Sequence, residues 1–507
     1  MPSGSRPDEM TQIRSRLARG SMLLMASRVI INVLAFASTI MLARLLTPED
    51  FGLVAIATTI LAIAMAVTQL SLAESIIQLD DPTPDHLNTA WTMGVIRAAI
   101  IASLFAIAAY PTAQFFEDTR LANIMFALGA GMMINGFANP RRALFQRDLV
   151  FKQEFLIEVS AKLAMVATSI SIAWIFRSYW ALIGGLLASY VMTVGIGYVL
   201  MPYRPHFTLS RFRELWSFSF WLTLSQAMNT INWRFDQLLI GKFIGRASLG
   251  AYTVGDNLAQ MPTREMTTPL TKTLFPGFAS LGKDKGRVGA GYARAQAIVT
   301  TLVLPVGVGV ALIADPAVRL GMGEKWAASI FVIQALASVF ALQTIGSLAH
   351  PLALSQGRTK LIFKRDCQYF ALRLPAIVGG LYFGGLTGVV IGRVFVGLMG
   401  IGFNVAIVRR LVDIPIRRQL QANLRPVLSA IIMVAAVLLA RGMWTHGTET
   451  SDLVLDLALS IPLGATAYMG SLIILWAISG YPDGPEREAM SVLAAYRDKF
   501  FARKELN

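Results

Sequence analysis

Charged residues are scarce in this sequence, and their scarcity indicates the class of protein. Asp, Glu, Lys and Arg make up only 15% of the 507 residues, whereas hydrophobic residues make up 55%. The mean hydropathy is +0.57. A soluble domain carries about 25% charged residues because its surface must face water. The composition therefore excludes a soluble globular protein.

The residues that common catalytic and metal sites require are also few. Cys367 is the only cysteine, so the chain cannot form an internal disulfide bond. The four histidines lie far apart, near predicted helix ends, and form no metal-binding pair. The sequence has no Walker A pattern, so a gradient or the flux of substrate must supply any energy. We therefore expect no enzymatic activity, no cofactor and no metal.

Long apolar runs define the predicted fold. Runs without charge, such as 51–73 and 326–357, are long enough to cross about 30 Å of hydrocarbon as helices. They lack the period-2 alternation of barrel strands, and a helix satisfies its own backbone hydrogen bonds in lipid. The sequence therefore predicts an all-α polytopic membrane protein with about 14 transmembrane helices. The predicted spans are 21–43, 51–76, 89–110, 121–139, 155–176, 180–202, 215–240, 250–275, 295–314, 326–349, 367–383, 388–408, 426–441 and 454–480.

The distribution of basic residues predicts the orientation. Most of the 45 Lys and Arg residues fall in loops on the N-terminal side of the membrane. Because positively charged loops stay in the cytoplasm, we expect both termini there. These loops account for the net charge of +15, so we expect contact with membrane lipids and no nucleic-acid partner.

The order of spans predicts the organisation of the chain. Apolar residues at helical spacing near the C-terminus indicate an interfacial helix, with a solvated tail as the alternative. The predicted segments are a cytoplasmic tail 1–20, an N-lobe 21–202 with helices 1–6, a cytoplasmic linker 203–214, a C-lobe 215–408 with helices 7–12, helices 13 and 14 within 409–480, and a cytoplasmic tail 481–507.

An internal repeat supports two related lobes. When the chain is shifted by 198 positions, ARLLTPEDFG at 43–52 aligns with GKFIGRASLG at 241–250. The basic residue, the apolar pair and the final glycine match without a gap. Both copies connect an odd-numbered predicted helix to the next one. Repeats in transporters commonly form two lobes with the substrate site between them, so we expect a transporter.

Basic residues inside the predicted spans are the candidates for a substrate site. A cation in the bilayer costs a few kcal/mol unless it faces a polar interior. Lys162, Lys272, Arg373 and Arg393 lie within snorkelling reach of an interface, which leaves a structural or a functional role open. The better candidates for substrate binding are Arg28, Arg97, Arg234 and Arg264.

Acidic residues inside the spans are fewer than the basic ones. Glu158 and Lys162 are spaced to pair on one helix face, whereas Arg234 and Asp236 are not. A surplus of positive charge therefore remains. It suits a phosphate-bearing anion, which arginine can hold with two hydrogen bonds, and it does not suit a cationic drug.

Three motifs, in this order, carry a family resemblance. They are LARLLTPEDFG at 42–52, RDLVF at 147–151, and FDQLLIGK at 235–242 continuing to LGAY at 249–252, with GEKW at 323–326 in support. With them the sequence resembles the polysaccharide transporter family, the Wzx-type flippases of the multidrug/oligosaccharidyl-lipid/polysaccharide exporter superfamily. The resemblance covers nearly all of the chain through the twelfth predicted helix and is weaker beyond it.

This resemblance implies both an architecture and a function. It implies two six-helix lobes around a cavity, two further C-terminal helices, and flipping of an undecaprenyl-diphosphate-linked oligosaccharide across the bacterial inner membrane. Partners of such flippases include polysaccharide polymerases and glycosyltransferases. By position, Arg28 and Arg264 correspond to cavity-lining basic residues, and we expect them to bind the diphosphate. Glu74 and Asp236 are candidates for ion coupling or for a structural role.

Two alternative functions remain open. A drug or cation antiporter of the same superfamily would need a carboxylate deep in the first lobe, and Glu74 and Glu158 lie near predicted helix ends. A scaffold that recruits polysaccharide enzymes without transporting anything is the second alternative. Drug-efflux assays and reconstituted flipping distinguish these alternatives from a flippase.

Overall fold

The computed structural model of the chain describes residues 7–69, 72–79, 81–147, 151–216, 220–280, 284–444, 447, 449–488 and 490. These residues form helices and connecting segments, and none of them lies in a strand. The all-α class predicted from the sequence is confirmed. The helices are α1 (Pro7–Leu45), α2 (Pro48–Val67), α3 (Leu72–Gln78), α4 (Pro84–Phe115), α5 (Arg120–Gly136), α6 (Arg142–Arg147), α7 (Phe151–Phe176), α8 (Trp180–Leu200), α9 (Phe212–Trp216), α10 (Phe220–Phe243), α11 (Arg246–Ser280), α12 (Lys285–Leu312), α13 (Ala314–Gly321), α14 (Ala327–Gln343), α15 (Ala349–Ser355), α16 (Thr359–Val412), α17 (Ile416–Ala422), α18 (Leu424–Trp444) and α19 (Thr450–Ile478).

Several of these helices are suited to span a membrane. Within the described ranges, ten helices are long and apolar enough to cross a bilayer. Helix α16 contains two predicted spans, 367–383 and 388–408, which meet at Gly385 with a φ of +54°. Glycine adopts this left-handed conformation readily because it has no Cβ. The protein is therefore polytopic, and the total of fourteen spans stays a prediction.

The chain divides into two compact units, Met1–Gly250 and Ala251–Asn507. In the first unit, α4 packs against α5, α7 packs against α8 and α1, and α10 packs against α2. In the second unit, α12 and α16 pack against α14, and α18 packs against α19 and α12. Helix α10, which the sequence assigns to the C-lobe 215–408, thus belongs to the first unit. The division into six-helix lobes stays a prediction.

Helix α2 shows how local sequence fixes a helix start. The Thr47 N–H donates to Asp50 Oδ2 at 2.9 Å, and the Thr47 hydroxyl accepts from the Asp50 N–H at 3.2 Å. Pro48 at the first helical position has the φ that a helix needs. The helix ends at Val67 and the chain resumes as α3, so the predicted span 51–76 is interrupted.

The starts of α2 and α11 touch through two glycines of the first unit. A Cβ added to Gly52 would lie 1.8 Å from the Arg246 carbonyl oxygen. A Cβ added to Gly250 would lie 1.8 Å from the Pro48 carbonyl oxygen. Under the shift of 198 positions, Pro48 and Gly52 are equivalent to Arg246 and Gly250. The contact is therefore reciprocal, as in a two-fold related pair, and gives the sequence repeat a structural counterpart.

The segment 203–214, predicted as a linker, forms hydrogen bonds with α4. The Tyr203 hydroxyl donates to Asn88 Oδ1 at 2.5 Å. Farther along, His86 Nε2 lies 2.8 Å from Glu214 Oε2, and this hydrogen bond lowers the pKa of Glu214. The segment is thus held against the helix whose side chains line the cavity described next.

Candidate functional site

The first unit contains a cavity of about 380 Å³ beside the interruption between α2 and α3. Side chains of α3, α4, α5, α6 and α7 surround it. Ligand pockets commonly measure about 300 to 1,000 Å³, so the cavity is large enough for part of a polar headgroup. The polar side chains that line it are Trp91, Arg97, Asn135, Asn139, Arg142 and Glu154.

Arg97 is the cation of this cavity that no described carboxylate neutralises. Its Nη2 donates to the Met65 carbonyl oxygen at 2.9 Å, and its Nε donates to the Thr68 hydroxyl at 3.3 Å. Both acceptors lie at the C-terminal end of α2, where the helix dipole favours a positive charge. A guanidinium has five N–H donors, so donors remain for a ligand. The sequence prediction for Arg97 thus falls on a side chain that lines a cavity.

The other basic residue of the cavity, Arg142, is already paired. Its Nη2 lies 2.6 Å from Glu154 Oε1, and its Nε lies 2.9 Å from Glu154 Oε2. The Arg142 Nη2 is also 3.9 Å from Glu158 Oε1. The expected pair of Glu158 with Lys162 is therefore wrong, because Arg142 approaches Glu158 and Lys162 Nζ lies 3.8 Å from Met165 Sδ. This arrangement leaves Arg97 as the unneutralised cation of the cavity lining.

Two further predicted residues of the first unit, Arg28 and Arg234, do not line this cavity. Arg28 is exposed on α1. Arg234 is half-buried on α10, and its Nη1 donates to Gln237 Oε1 at 3.2 Å. The same Gln237 oxygen accepts from the Thr59 hydroxyl at 2.5 Å, which joins α10 to α2. Neither arginine forms an ion pair with a carboxylate of the described residues, and their roles in substrate binding stay predictions.

The remaining predicted site residues have different environments. Arg264, in the second unit, is exposed, and its Nη2 lies 3.4 Å from Glu265 Oε1. Asp236 on α10 is fully buried, and one carboxylate oxygen accepts from the Gln237 N–H at 3.0 Å. The side chains of Glu74 and Lys272, and most of the RDLVF motif, lie outside the described residues.

Arg373 and Arg393 do not snorkel to an interface, because they are only 1% and 4% exposed. Arg393 Nη2 lies 2.8 Å from Asp256 Oδ1, and Arg393 Nη1 donates to the Tyr252 hydroxyl. The guanidinium carbon is also 5.5 Å from the ring centroids of Tyr252 and Phe340. The Arg393 charge is thus neutralised within the core of the second unit, which indicates a structural role.

An ionic cluster joins the starts of α2, α5 and α11 in the first unit, and sequence reasoning missed it. Arg120 Nη2 lies 2.7 Å from Asp118 Oδ2 and 2.9 Å from Glu49 Oε1. Arg246 contacts Asp118 and lies 3.2 Å from Glu49 Oε1. Burial of Asp118 opposes its ionisation, but the hydrogen bonds and charge of Arg120 outweigh that effect and lower the pKa of Asp118. The cluster holds together the same helix starts, α2 and α11, that meet at the Gly52 and Gly250 contact.

Comparisons with known proteins add a family to this geometry. Residues 41–331 match the family described as Polysaccharide biosynthesis protein. The lipopolysaccharide biosynthesis protein WzxC of Escherichia coli (strain K12) is 27% identical over 391 residues, which cover 76% of this chain and 80% of WzxC. The succinoglycan biosynthesis transport protein ExoT of Rhizobium meliloti (strain 1021) is 24% identical over 445 residues, which cover 86% of this chain and 88% of ExoT.

A solved structure shares the fold. The lipid II flippase MurJ, in an inward closed conformation, aligns with a TM-score of 0.70 at 13% identity, covering 91% of this chain and 99% of MurJ. The family match covers more than half of the chain and contains the RDLVF and FDQLLIGK motifs. The Wzx-type resemblance read from the sequence is confirmed. This chain belongs to the polysaccharide biosynthesis protein family, and its fold is that of the flippase MurJ.

Proposed function

We propose that this chain flips an undecaprenyl-diphosphate-linked oligosaccharide, a precursor of a surface polysaccharide, across the bacterial inner membrane. The names of its relatives support the pathway, since WzxC belongs to lipopolysaccharide biosynthesis and ExoT to succinoglycan transport. The fold shared with a lipid II flippase supports the type of substrate. In this proposal both termini are cytoplasmic and two lobes alternate in access.

The observation that carries the proposal is the unneutralised charge of Arg97 in a cavity of about 380 Å³. Met65 and Thr68 hold one side of the guanidinium, which fixes its orientation before a ligand arrives. A phosphate oxygen can accept the remaining N–H groups, and a charge-assisted hydrogen bond of this type is stronger than a neutral one. Asn135 lines the same cavity and offers an amide to a sugar hydroxyl.

The other predicted residues act along the same path in this proposal. Arg28 and Arg264 are exposed and contact the diphosphate. Arg234, which is oriented by its hydrogen bond to Gln237, contacts the diphosphate as well. The lipid tail remains in the bilayer throughout, because moving it into a polar cavity would take its apolar surface out of an apolar environment, which is unfavourable. Glu74 and Asp236 serve ion coupling or structure. Polymerase and glycosyltransferase partners supply the oligosaccharide and elongate it.

Replacing Arg97 with glutamine tests the proposal in cells. Loss of a hydrogen bond to a charged group costs about 1.5 to 3 kcal/mol, so we expect export of the polysaccharide to fall roughly tenfold or more. Lipid-linked oligosaccharide should accumulate on the cytoplasmic side, as extraction and mass spectrometry would show. Arg97→Lys keeps the charge but loses the bidentate geometry, so we expect an intermediate level.

Lys162→Gln is the matched control, because Lys162 is a half-buried base of the same unit that does not line the cavity. Export with this variant should equal that of the wild type at equal protein level. Unchanged export with Arg97→Gln would refute the assignment of Arg97. Drug resistance conferred by the wild-type chain, without any effect on lipid-linked oligosaccharide, would instead identify an antiporter.

A further inference from the structure

The segment that connects α16 to α18 exposes an apolar stripe. It contains the short helix α17 and the residues on either side of it. Ile416, Leu420 and Leu424 are 39%, 49% and 52% exposed. Successive members of this set are four residues apart, so their side chains lie on the same side of the helical segment. Such a stripe at the end of a membrane-spanning helix is suited to the boundary between headgroups and acyl chains.

Arginines without acidic neighbours flank this stripe. Arg409, Arg410, Arg417 and Arg418 are all exposed, and none forms an ion pair with a carboxylate of the described residues. The sequence has no Asp or Glu from 414 to 448. Two carboxylates near the segment are already paired with other basic residues: Asp413 lies 2.8 Å from Lys285 Nζ, and Glu486 Oε1 lies 3.1 Å from Arg425 Nη1. The segment therefore presents a net positive charge beside an apolar surface.

A small cavity of about 80 Å³ opens beside Arg418. Gln419 and Asn423 line it and are only 7% and 3% exposed. Their amide nitrogens are used: Gln419 Nε2 donates to the Ile414 carbonyl at 3.0 Å, and Asn423 Nδ2 donates to the Gln419 carbonyl at 2.8 Å. Their amide oxygens have no hydrogen-bond donor among the described residues. A buried acceptor without a donor is costly, so these oxygens favour a ligand that donates.

We propose that residues 409–425 form a binding site for an anionic phospholipid with a glycerol headgroup, such as phosphatidylglycerol. The phosphate binds Arg418 and Arg417, and the headgroup hydroxyls donate to the amide oxygens of Gln419 and Asn423. The acyl chains lie along the apolar stripe. Phosphatidylcholine has no hydroxyl donor and no net charge, so it satisfies neither requirement. The site is distinct from the Arg97 cavity and does not depend on the proposed transport function.

Native mass spectrometry of the purified full-length chain tests this site. Phosphatidylglycerol should bind roughly tenfold more tightly than phosphatidylcholine, because the two arginines attract its net negative charge and phosphatidylcholine has none. Phosphatidylmethanol carries the phosphate charge without the hydroxyls, and it should bind with intermediate affinity. The double variant Arg417→Gln/Arg418→Gln should lose most of the preference for phosphatidylglycerol. Inorganic phosphate and glycerol 3-phosphate should compete weakly, because they lack acyl chains.

The matched control is Arg358→Gln/Lys360→Gln, which removes two exposed basic residues outside the site. It should bind phosphatidylglycerol within about twofold of the wild type. Asn423→Leu removes one of the two amide oxygens, so it should reduce the preference for phosphatidylglycerol over phosphatidylmethanol. Equal binding of all the lipids by the wild type would overturn the proposal even if a variant failed to fold. Equal losses of phosphatidylglycerol binding in Arg417→Gln/Arg418→Gln and in the control Arg358→Gln/Lys360→Gln would overturn it as well, since general surface charge would then explain the binding. If inorganic phosphate fully displaced the lipid, the ligand of this site would be a free anion and the lipid proposal would be wrong.

Discussion

Gly52→Ala and Gly250→Ala are each expected to remove most of the folded protein. In either variant the new Cβ would lie 1.8 Å from a backbone carbonyl oxygen of the other helix start. Backbone atoms cannot move aside as a flexible side chain can, so the starts of α2 and α11 must separate. Overpacking of this kind costs about 1 to 3 kcal/mol and sometimes more. Size-exclusion chromatography and thermal unfolding of the purified variants would measure the loss.

Gly195→Ala is the control for this prediction. Gly195 lies within α8 of the same unit, and a Cβ there would meet no atom within 4 Å. Because alanine favours a helix over glycine, this variant should be as stable as the wild type or slightly more stable. A Gly52→Ala protein with wild-type yield and unfolding temperature would show that the two helix starts do not pack as described.

Asp256→Asn is expected to lower the free energy of unfolding by about 3 to 5 kcal/mol, because it removes the Asp256 carboxylate from its ion pair with the buried Arg393. Arg393→Gln should lower the free energy of unfolding by a similar amount, because it removes the cation from its ion pair with the buried Asp256 carboxylate. The double variant Asp256→Asn/Arg393→Gln should lower the free energy of unfolding by less than the sum of the two single variants, since both charges of the ion pair are removed together. Denaturant titration of the purified proteins gives the coupling energy of the pair.

Lys162→Gln again provides a reference, here for the loss of a half-buried intramembrane base that has no carboxylate partner among the described residues. We expect it to change the free energy of unfolding much less than Arg393→Gln. Additive losses in the Asp256 and Arg393 double variant would contradict the ion pair, since residues that interact directly are not additive.

The fold was accessible from the sequence because the membrane imposes strong rules. Apolar runs and their helical interpretation follow from the need to satisfy backbone hydrogen bonds in lipid, and the described residues are helical as predicted. The ends of the helices were harder to predict. Helix α2 ends at Val67 within an apolar run, and the hydrogen bonds that Arg97 donates to its C-terminal end come from a different helix. No local pattern signals that interruption.

The candidate site was accessible only in part, for a related reason. Arg97 could be found because an intramembrane cation is costly and therefore informative. The pairing of charges could not be found, because the partners are distant in sequence: Arg393 pairs with Asp256, and Arg246 contacts Asp118. Single-helix spacing also favoured Lys162 for Glu158, whereas the arginine that approaches Glu158 comes from α6. Partner identity depends on tertiary packing.

The repeat is a case in which sequence and structure support each other. The alignment of 43–52 with 241–250 rests on few identical residues, since only the glycine at its end is invariant. In the structure that glycine, in both copies, approaches a carbonyl at the equivalent position of the other copy. Close backbone approach requires glycine, so the conserved feature of the repeat is the contact itself.

Reconstituted flipping is the most direct test of the central claim. The purified chain would be placed in liposomes that carry a fluorescent undecaprenyl-diphosphate oligosaccharide, and a membrane-impermeant quencher would report which leaflet holds the sugar. We expect transfer between leaflets that depends on the wild-type chain and falls roughly tenfold or more with Arg97→Gln. If folded wild-type chain moved no more sugar than empty liposomes, the protein would not be a flippase for this class of lipid, and a scaffold role would explain its place in polysaccharide assembly.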